Sequence, residues 1–403
     1  MNKNEAYVVG GVRTPIGNFG GTLGAVRTDD LAAHVLSELL AKFPLKDPAH
    51  IADVLMGCAN QAGEDNRNVS RMALLLAGLP YTVPGETINR LCASGMSAVA
   101  GAARAIACGD GDLFIASGVE NMTRGPWVMS KSSQPFGRDV SLYDTSFGWR
   151  FINPKLDALY GTEGMGQTAE NLAEKYGISR EDQDAFALHS QKKAAAAQEA
   201  GRFALEIAPV CIPQRKADPV VFDRDEFIKG QSTLEGLAKL RPAFKRDGTV
   251  TAGNSSGLND GAAALLMASE EGLRAHNLQP QARVVSSCVA GVETRIMGIG
   301  PVPASEIALK KAGLTLDDID IIELNEAFSA QSLAVIRSWS LADDDSRINP
   351  NGGAIALGHP LGMSGTRLIQ TAALELQQTG KRYALCAMCI GVGQGYAVVL
   401  ERV

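Results

Sequence analysis

Two segments of the chain, far apart in the sequence, repeat one another. Residues 92–97 (CASGMS) resemble residues 359–364 (HPLGMS), and residues 51–57 resemble residues 319–325 at nearly the same offset. The repetition predicts two duplicated halves related by pseudo-twofold symmetry. It puts a cysteine at one helix start and a histidine at the equivalent start in the other half. A thiol beside an imidazole can form an activated nucleophile, so this pairing is the chemistry that we expect.

The hydrophobic pattern outside the middle of the chain alternates between strands and helices. Predicted strands cover residues 7–11, 52–56, 86–91, 113–119, 262–268, 282–289, 319–324, 383–388 and 396–401. Predicted helices cover residues 29–43, 69–79, 92–107, 180–200, 304–311 and 362–378. This alternation predicts an α/β fold with a mostly parallel sheet and helices on both faces.

The middle of the chain is more polar and richer in proline, which sets it apart from the two halves. We expect residues 1–119 plus 251–272 to form the N-terminal half and residues 273–403 the C-terminal half. Residues 120–250 then form a covering insertion with one good helix, 180–200. Loop regions of this kind often carry specificity.

Composition excludes several classes of function. The net charge of −6 argues against nonspecific nucleic-acid binding. The N-terminus shows no leader pattern, and no apolar run approaches the roughly 20 residues of a membrane span. Seven cysteines, an odd number, favour reduced thiols over a disulfide framework. We therefore expect a cytoplasmic protein with no membrane and no nucleic-acid partner.

Cys92 follows an extended segment and opens a predicted helix. The thiolate is the reactive form of cysteine, and a helix N-terminus lowers the pKa of a thiol. Cys92 is therefore a candidate nucleophile. The alternative is a buried structural cysteine, which is common for this residue type.

His359 lies in a segment with four glycines and a proline, residues 352–362, which specifies an unusual backbone path. A phosphate-binding loop is the competing interpretation, but the segment lacks the Gly-Lys-Ser/Thr ending and a well-placed G-x-G-x-x-G. The remaining histidines have amphipathic or polar surroundings typical of structural or solvent-facing positions: His34, His50, His189 and His276.

Two further polar motifs follow apolar strands. Cys386 and Cys389 form a C-x-x-C, which suggests redox chemistry or half a metal site, but no second C-x-x-C exists to complete one. We interpret Cys389 as functional and Cys386 as packing. Asn325 and Glu326 end a buried strand, where open α/β sheets place their sites, although Asn325 could instead cap a helix.

Together these motifs resemble the thiolases. The similar segments are residues 89–95 (nucleophile segment), 325–328 (NEAF), 352–362 (the G-H-P box) and 389–393 (C-x-G-x-G), all in family order. The resemblance implies the thiolase fold, with two duplicated βαβαβαββ halves packed as a five-layered α-β-α-β-α core under a loop insertion. The condensing enzymes of fatty-acid synthesis lack a second catalytic cysteine, so Cys389 argues against that group.

The resemblance also implies site roles. Cys92 would be the acylated nucleophile, His359 its base and Cys389 an acid/base. Asn325 would hold a water for one oxyanion site, and the N–H groups of Cys92 and Gly391 would form the other. Residues implied to bind CoA or the acyl chain are Ala252, Ser256, Lys229, Met165 and Phe328. Coenzyme A would be a co-substrate, no metal or redox cofactor would be needed, and the assembly would be a homotetramer built from dimers.

Residues 58–69 and 144–151 resemble the subgroup of 3-oxoadipyl-CoA thiolases of aromatic-compound breakdown. Gly164 stands where acetoacetyl-CoA thiolases carry a histidine. The implied reaction is 3-oxoadipyl-CoA plus CoA giving succinyl-CoA and acetyl-CoA. A substrate ending in a carboxylate needs a cationic partner, for which Arg150 is the first candidate and Arg124 the second.

Four alternatives remain at this point. Two stay within the family: an acetoacetyl-CoA thiolase, and a broad-range 3-ketoacyl-CoA thiolase of β-oxidation. The third is a non-catalytic acyl-CoA or lipid-binding relative, which retention of all four catalytic positions argues against. The fourth is a thiol redox protein using Cys386 and Cys389, which would leave the duplication and His359 unexplained.

Overall fold

The computed structural model describes residues 4–403, so the first three residues of the predicted N-terminal half lie outside it. The strands within this range are β1 Tyr7–Arg13, β2 Gly17–Asn18, β3 Asp53–Gly57, β4 Gly85–Ile88, β5 Leu113–Asn121, β6 Trp127–Met129, β7 Leu142–Asp144, β8 Val210–Ile212, β9 Val220–Phe222, β10 Asn259–Ala268, β11 Ala282–Gly291, β12 Ile321–Leu324, β13 Tyr383–Ile390 and β14 Gln394–Arg402. The helices are α1 Thr28–Lys42, α2 Val69–Leu76, α3 Ser94–Cys108, α4 Pro154–Tyr160, α5 Met165–Tyr176, α6 Arg180–Glu199, α7 Leu234–Ala238, α8 Glu270–His276, α9 Pro301–Ala312, α10 Ser329–Ser338, α11 Ala354–Leu357 and α12 Leu361–Thr379.

The order of strands in the main sheet shows the duplication directly. The order is β12-β13-β14-β11-β1-β10-β5-β3-β4, with β2 on β10. A parallel bridge between Ile322 and Ile348 extends the β12 edge, as β4 extends β3. Counted outward from the central β11–β1 pair, the equivalent strands of the two halves therefore follow in the same order. The segments that repeat in the sequence, 51–57 and 319–325, contribute the equivalent strands β3 and β12, as predicted.

The prediction of a mostly parallel sheet is wrong. Only β3–β4, β3–β5 and β12–β13 pair in parallel, whereas β1–β10, β1–β11, β5–β10, β11–β14 and β13–β14 are antiparallel. The reason is local. Strands β13 and β14 are joined by a tight turn in which Val392 and Gly393 have φ of 62° and 78°, and a hairpin returns antiparallel. A strand–helix alternation alone does not reveal such a return.

Helices cover both outer faces of the sheet and fill the space between its two halves. Helices α1 and α2 pack on the first half, α9 and α10 on the second, and α3 and α12 form a central layer between them. The five-layered α-β-α-β-α core is therefore confirmed. The central helices approach closely through glycine, since a Cβ placed on Gly95 would lie 2.5 Å from the carbonyl oxygen of Gly362.

The insertion is more helical than the sequence predicted. Besides α6, it contains α4, α5 and α7 and two small hairpins, β6–β7 and β8–β9. Helices α5 and α6 bury apolar residues against the second half, so they belong to its core. The buried guanidinium of Arg13 on β1 bonds the carboxylates of Glu206 at 3.1 Å and Asp225 at 2.8 Å. This network fixes the insertion to the first half.

Helix α3 and the residues before it are apolar enough to raise the question of a membrane span. The window Leu91–Cys108 has a mean hydropathy of 1.4 over 18 residues. The helix lies in the central layer, where its apolar residues pack against both halves of the sheet. Its composition is explained by this position in the core.

Candidate functional site

The two repeated segments with cysteine and histidine start the two central helices. Cys92 precedes Ala93, the N-cap of α3, so the helix begins two residues later than predicted. Leu91, just before Cys92, has φ of 48°, a left-handed conformation that is rare for a residue other than glycine. Such backbone strain concentrates at functional sites because the surrounding structure must impose it.

Burial outweighs the backbone N–H at the helix start, which acts to lower the pKa of Cys92 as expected. Burial raises the pKa of Cys92 to about 11, with a small further rise from the nearby Glu120. Hydrogen bonds from the backbone N–H groups of Gly391 and Cys92 act in the opposite direction but do not outweigh burial. Cys92 therefore rests as a thiol at neutral pH and needs a base to become a nucleophile.

His359 is held on three sides in a buried position. Its Nε2 lies 3.3 Å from Nδ2 of Asn325, its Nδ1 lies 2.6 Å from Oγ of Ser364, and its backbone N–H donates to Oδ1 of Asn259 at 3.0 Å. Gly358, with φ of 105°, makes the turn that allows this path. Burial, and then the charge of Arg367, lower the pKa of His359 to about 3. The imidazole is therefore neutral over the physiological range.

Asn325 connects this histidine to strand β13. It follows β12, and its backbone N–H donates to the carbonyl of Ala387 at 2.9 Å. The alternative role as a helix cap is wrong, because Phe328 is the N-cap of α10. Its neighbour Glu326 points elsewhere and accepts from Ser190 at 2.6 Å. Only Asn325 of this pair therefore faces the site.

Cys386 and Cys389 lie on opposite faces of β13. Cys386 belongs to the central core layer and Cys389 to the outer one. Three residues of extended strand separate their Cα atoms by about 10 Å, beyond the roughly 7 Å that a disulfide spans. The redox interpretation thus fails on geometry. Burial, and then the Cys92 sulfur, raise the pKa of Cys389, so it is a protonated thiol beside the candidate nucleophile.

Gly391 begins the turn between β13 and β14 and directs its backbone N–H toward Cys92. A Cβ placed on Gly391 would lie 3.3 Å from Leu91 and 3.6 Å from the sulfur of Met165. The structure therefore brings the predicted oxyanion residue and the predicted acyl-pocket residue Met165 to the nucleophile.

The other predicted ligand-binding residues lie in two neighbouring places. Lys229 and Ala252 line a cavity of about 360 Å³ formed by the insertion and α11. Ser256 donates its backbone N–H to the carbonyl of Ala327 at 3.0 Å. Phe328 packs edge-to-face on Phe244, with ring centroids 6.0 Å apart. Ser256 and Phe328 thus lie at the 325–328 segment that follows β12, whereas Lys229 and Ala252 line the cavity.

The two candidate arginines have different surroundings. Arg124 binds Glu64 with two nitrogens, Nε at 2.7 Å and Nη2 at 2.5 Å, so its charge is already paired within the fold. Arg150 makes one long hydrogen bond, 3.4 Å to the carbonyl of Asn60, and no ion pair with any residue from 4 to 403. Arg124 thus has a structural role, and Arg150 is the better candidate.

Glu120 is a site residue that the sequence analysis missed. Its buried carboxylate accepts from the backbone N–H groups of Ala59, Asn60 and Gly362 at 2.9–3.0 Å, which links a first-half loop to the start of α12. Burial raises the pKa of Glu120 to about 7. The available signal was a glutamate directly after the apolar strand predicted at 113–119.

Glu120 also belongs to the one group of three potential metal ligands among the described residues, with Cys58 and Asp65 within 4.8 Å. Their lone pairs are already engaged. Asp65 accepts from the backbone N–H of Gln61 and Gly63 and from the Cys58 thiol, and Glu120 accepts the three bonds above. The group is therefore an internal hydrogen-bonded network.

A duplicated α/β fold with a thiol and an imidazole at equivalent helix starts is typical of acyltransferases. Comparison with known proteins agrees. The family profiles described as thiolase, N-terminal domain, and thiolase, C-terminal domain, match residues 6–271 and 278–402. The chain belongs to the thiolase family, which confirms the resemblance and the prediction of an acyltransferase.

Individual relatives cover nearly the whole chain. A beta-ketoadipyl-CoA thiolase of Acinetobacter baylyi is 58% identical over 99% of this chain and 100% of the relative. A 3-oxoadipyl-CoA/3-oxo-5,6-dehydrosuberyl-CoA thiolase of Escherichia coli K12 is 57% identical with the same coverage. The crystal structure of human mitochondrial 3-ketoacyl-CoA thiolase in complex with CoA superimposes with a TM-score of 0.91 at 41% identity, covering 99% of this chain and 98% of that one.

Proposed function

We propose that the protein cleaves 3-oxoadipyl-CoA with CoA to give succinyl-CoA and acetyl-CoA. The observation that carries the proposal is that two thiols and the backbone N–H of Gly391 meet, and that the neutral His359 lies just before α12, the helix packed against the helix of Cys92. Identity of 57–58% over the full length to relatives named for this substrate supports the choice of acyl chain. The roles of the individual residues are part of the proposal.

The first half-reaction breaks the carbon–carbon bond. Cys92 transfers its proton to His359 as its sulfur attacks the 3-keto carbon, and the N–H groups of Cys92 and Gly391 stabilise the oxyanion. The C2–C3 bond then breaks, leaving the succinyl group on Cys92 and acetyl-CoA as its enolate. His359 and a water held by Asn325 stabilise the enolate oxygen, and Cys389 protonates C2. Because burial keeps Cys389 protonated, it holds a proton for this step.

The second half-reaction returns the free enzyme. His359 passes the proton that it took from Cys92 to the Cys389 thiolate and is again a base. It takes the thiol proton of CoA as the CoA sulfur attacks the acyl carbon, and gives that proton to Cys92 as the bond to the Cys92 sulfur breaks and succinyl-CoA leaves. Lys229 is suited to the CoA phosphates and Ala252 and Ser256 to the pantetheine, since Lys229 and Ala252 line one cavity and Ser256 bonds Ala327 in the segment that carries Asn325. Met165 and Phe328 then line the acyl pocket. The chemistry is thiol and acid–base chemistry, and CoA is a co-substrate.

The geometry supports recognition of a terminal carboxylate. The two segments that resemble the 3-oxoadipyl subgroup contact each other, because Nδ2 of Asn60 donates to the carbonyl of Thr145 at 3.1 Å and Arg150 bonds Asn60. Asn89 joins them to the nucleophile segment by donating to the carbonyl of Ala59 at 3.0 Å. An arginine without a carboxylate partner, held beside this segment, suits a bidentate bond to a substrate carboxylate.

A panel of thiolysis substrates tests the proposed function. We expect kcat/KM to be highest for 3-oxoadipyl-CoA and lower for acetoacetyl-CoA and a medium-chain 3-oxoacyl-CoA, measured by loss of the 3-oxoacyl-CoA absorbance. Preference for acetoacetyl-CoA would indicate the acetoacetyl alternative. Absence of cleavage with all three would contradict the assignment as a thiolase enzyme.

Substitution of Arg150 tests the recognition of the carboxylate. Arg150→Met should lower kcat/KM for 3-oxoadipyl-CoA by tenfold or more, about 1.4 kcal/mol, and leave acetoacetyl-CoA nearly unchanged. Steady-state kinetics with both substrates measures the difference. An equal decrease for both would mean that Arg150 supports the fold or the CoA site, and Arg150→Lys serves as the variant that keeps the charge without the bidentate geometry.

We also propose a homotetramer built from dimers, located in the cytoplasm. Edge strand β4 leaves one side of the sheet unpaired in the single chain. The β6–β7 hairpin exposes large apolar side chains, with Trp127, Met129 and Leu142 at 72%, 67% and 65% exposure. Apolar groups at such exposure are typical of surfaces that associate.

A further inference from the structure

We propose that Ser364 is a positioning residue that holds His359 in the one tautomer able to accept the proton of Cys92. The inference rests on the proposed function, in which His359 is the base. It assigns a role to a hydroxyl that touches neither the substrate nor the reacting sulfur. The contacts that support it surround the imidazole on both of its nitrogens.

Ser364 is buried in the first turn of α12, the helix that His359 and Pro360 lead into. Its Oγ lies 2.6 Å from Nδ1 of His359 and 2.8 Å from the carbonyl oxygen of Pro360. A hydroxyl has one proton to donate. If that proton is directed to the Pro360 carbonyl, the Oγ lone pair can only accept from His359, so Nδ1 carries the imidazole proton.

The opposite side of the ring leads to the same proton position. Nδ2 of Asn325 lies 3.3 Å from Nε2 of His359, and an amide nitrogen only donates. Nε2 is then the unprotonated nitrogen, whose lone pair accepts this long bond in the free protein and would accept from the Cys92 thiol in its place. Two independent partners thus agree on a neutral ring with the proton on Nδ1 and the basic nitrogen, Nε2, directed to the site.

Substitution of Ser364 by alanine removes one of the two partners that fix the tautomer of His359. The Nδ1–H would lose its acceptor in a buried environment, which is unfavourable, and the ring could move its proton to Nε2 or rotate. With a proton on Nε2, the imidazole donates there and cannot accept from a thiol. The rate of catalysis by a histidine base depends strongly on which ring nitrogen carries the proton, as serine proteases illustrate.

The duplication supplies a matched control. Ser97 occupies the equivalent position in α3, one turn beyond Cys92, and is also buried. Its Oγ accepts from Nε of Arg90 at 3.1 Å instead of from a histidine. The equivalent hydroxyl in the two helices related by the pseudo-twofold axis therefore has an imidazole partner in only one of them.

Kinetics of the full-length protein test the inference. Ser364→Ala should lower kcat for thiolysis by about tenfold to a hundredfold and change KM for CoA by less than threefold. The rate at which acetyl-CoA acylates Cys92, measured as released CoA, should decrease by the same factor. Ser364→Thr should recover most of both rates, because a helical threonine can also bond the carbonyl four residues earlier. Ser97→Ala removes the equivalent hydroxyl from α3 and should lower kcat much less than Ser364→Ala does.

Several results would overturn the inference. They are a kcat of Ser364→Ala within twofold of the wild type, a loss that appears in KM alone, or an equal loss in Ser97→Ala. Thermal unfolding of each variant identifies a merely structural effect, in which kcat would follow the melting temperature across all three. Failure of this inference can be distinguished from failure of the proposed function. A wild-type protein that cleaves no 3-oxoacyl-CoA contradicts the proposed function. A fully active Ser364→Ala variant contradicts only the positioning role.

Discussion

Cys92→Ser is expected to lose nearly all thiolysis, on the order of 10³-fold or more in kcat. The physical reason is acidity. Burial already raises the pKa of the Cys92 thiol to about 11, and a hydroxyl in the same place is far harder to ionise. Because the pKa of His359 is lowered to about 3, the imidazole is a weak base and cannot compensate for the lower acidity of a hydroxyl. In the wild type, incubation with acetyl-CoA and peptide mass mapping should place an acetyl group on Cys92.

The exposed Cys108 at the end of the same helix provides the control. Cys108→Ser removes a thiol from α3 without touching the site, so its turnover should equal that of the wild type, and both variants should unfold at similar temperatures. Acetylation found only on Cys389 would reverse the assignment of nucleophile and acid.

The second large effect is expected at Cys389. Cys389→Ala should lower kcat by roughly 10²–10⁴-fold, the usual range for removal of an acid–base catalyst. Cys386→Ala should keep most of its activity, because the Cys386 sulfur faces the central layer, 3.6 Å from the Leu368 carbonyl. Steady-state thiolysis of both variants measures the contrast.

Stability is the necessary control for this pair, since both thiols are buried. Each alanine variant should lose a comparable, small amount of unfolding free energy while only one loses turnover. Equal loss of activity in both would support the rejected redox interpretation, against the geometry of β13.

The sequence predicted what depends on repetition and on local backbone constraints. The positions of β3 and β12, and the starts of α3 and α12, followed from two pairs of similar segments. His359 could be singled out because a glycine-rich path around one histidine is unusual, and the structure shows Gly358 in a conformation that requires glycine. The same reasoning identified Cys389 over Cys386.

Other features depend on contacts distant in sequence and could not be predicted. The direction of β14 relative to β13 depends on a turn rather than on hydrophobic pattern. Helix α10, whose apolar residues are buried, was not predicted, although Asn325 had been considered as a helix cap. The ion pair between Arg124 and Glu64 joins residues 60 positions apart, so the sequence did not predict it. The raised pKa of Cys92 follows from burial by both halves, which a helix-start argument leaves out.

The close approach of Gly95 to the carbonyl of Gly362 places the candidate site at the contact between the two halves of the molecule. The proposed nucleophile, Cys92, and the proposed base, His359, belong to different halves, and the absence of a side chain on Gly95 allows their two helices to lie this close. Mutations remote from any reacting atom can therefore change the rate by shifting one half against the other. The duplicated unit thus carries unlike residues at equivalent positions, a cysteine before one central helix and a histidine before the other.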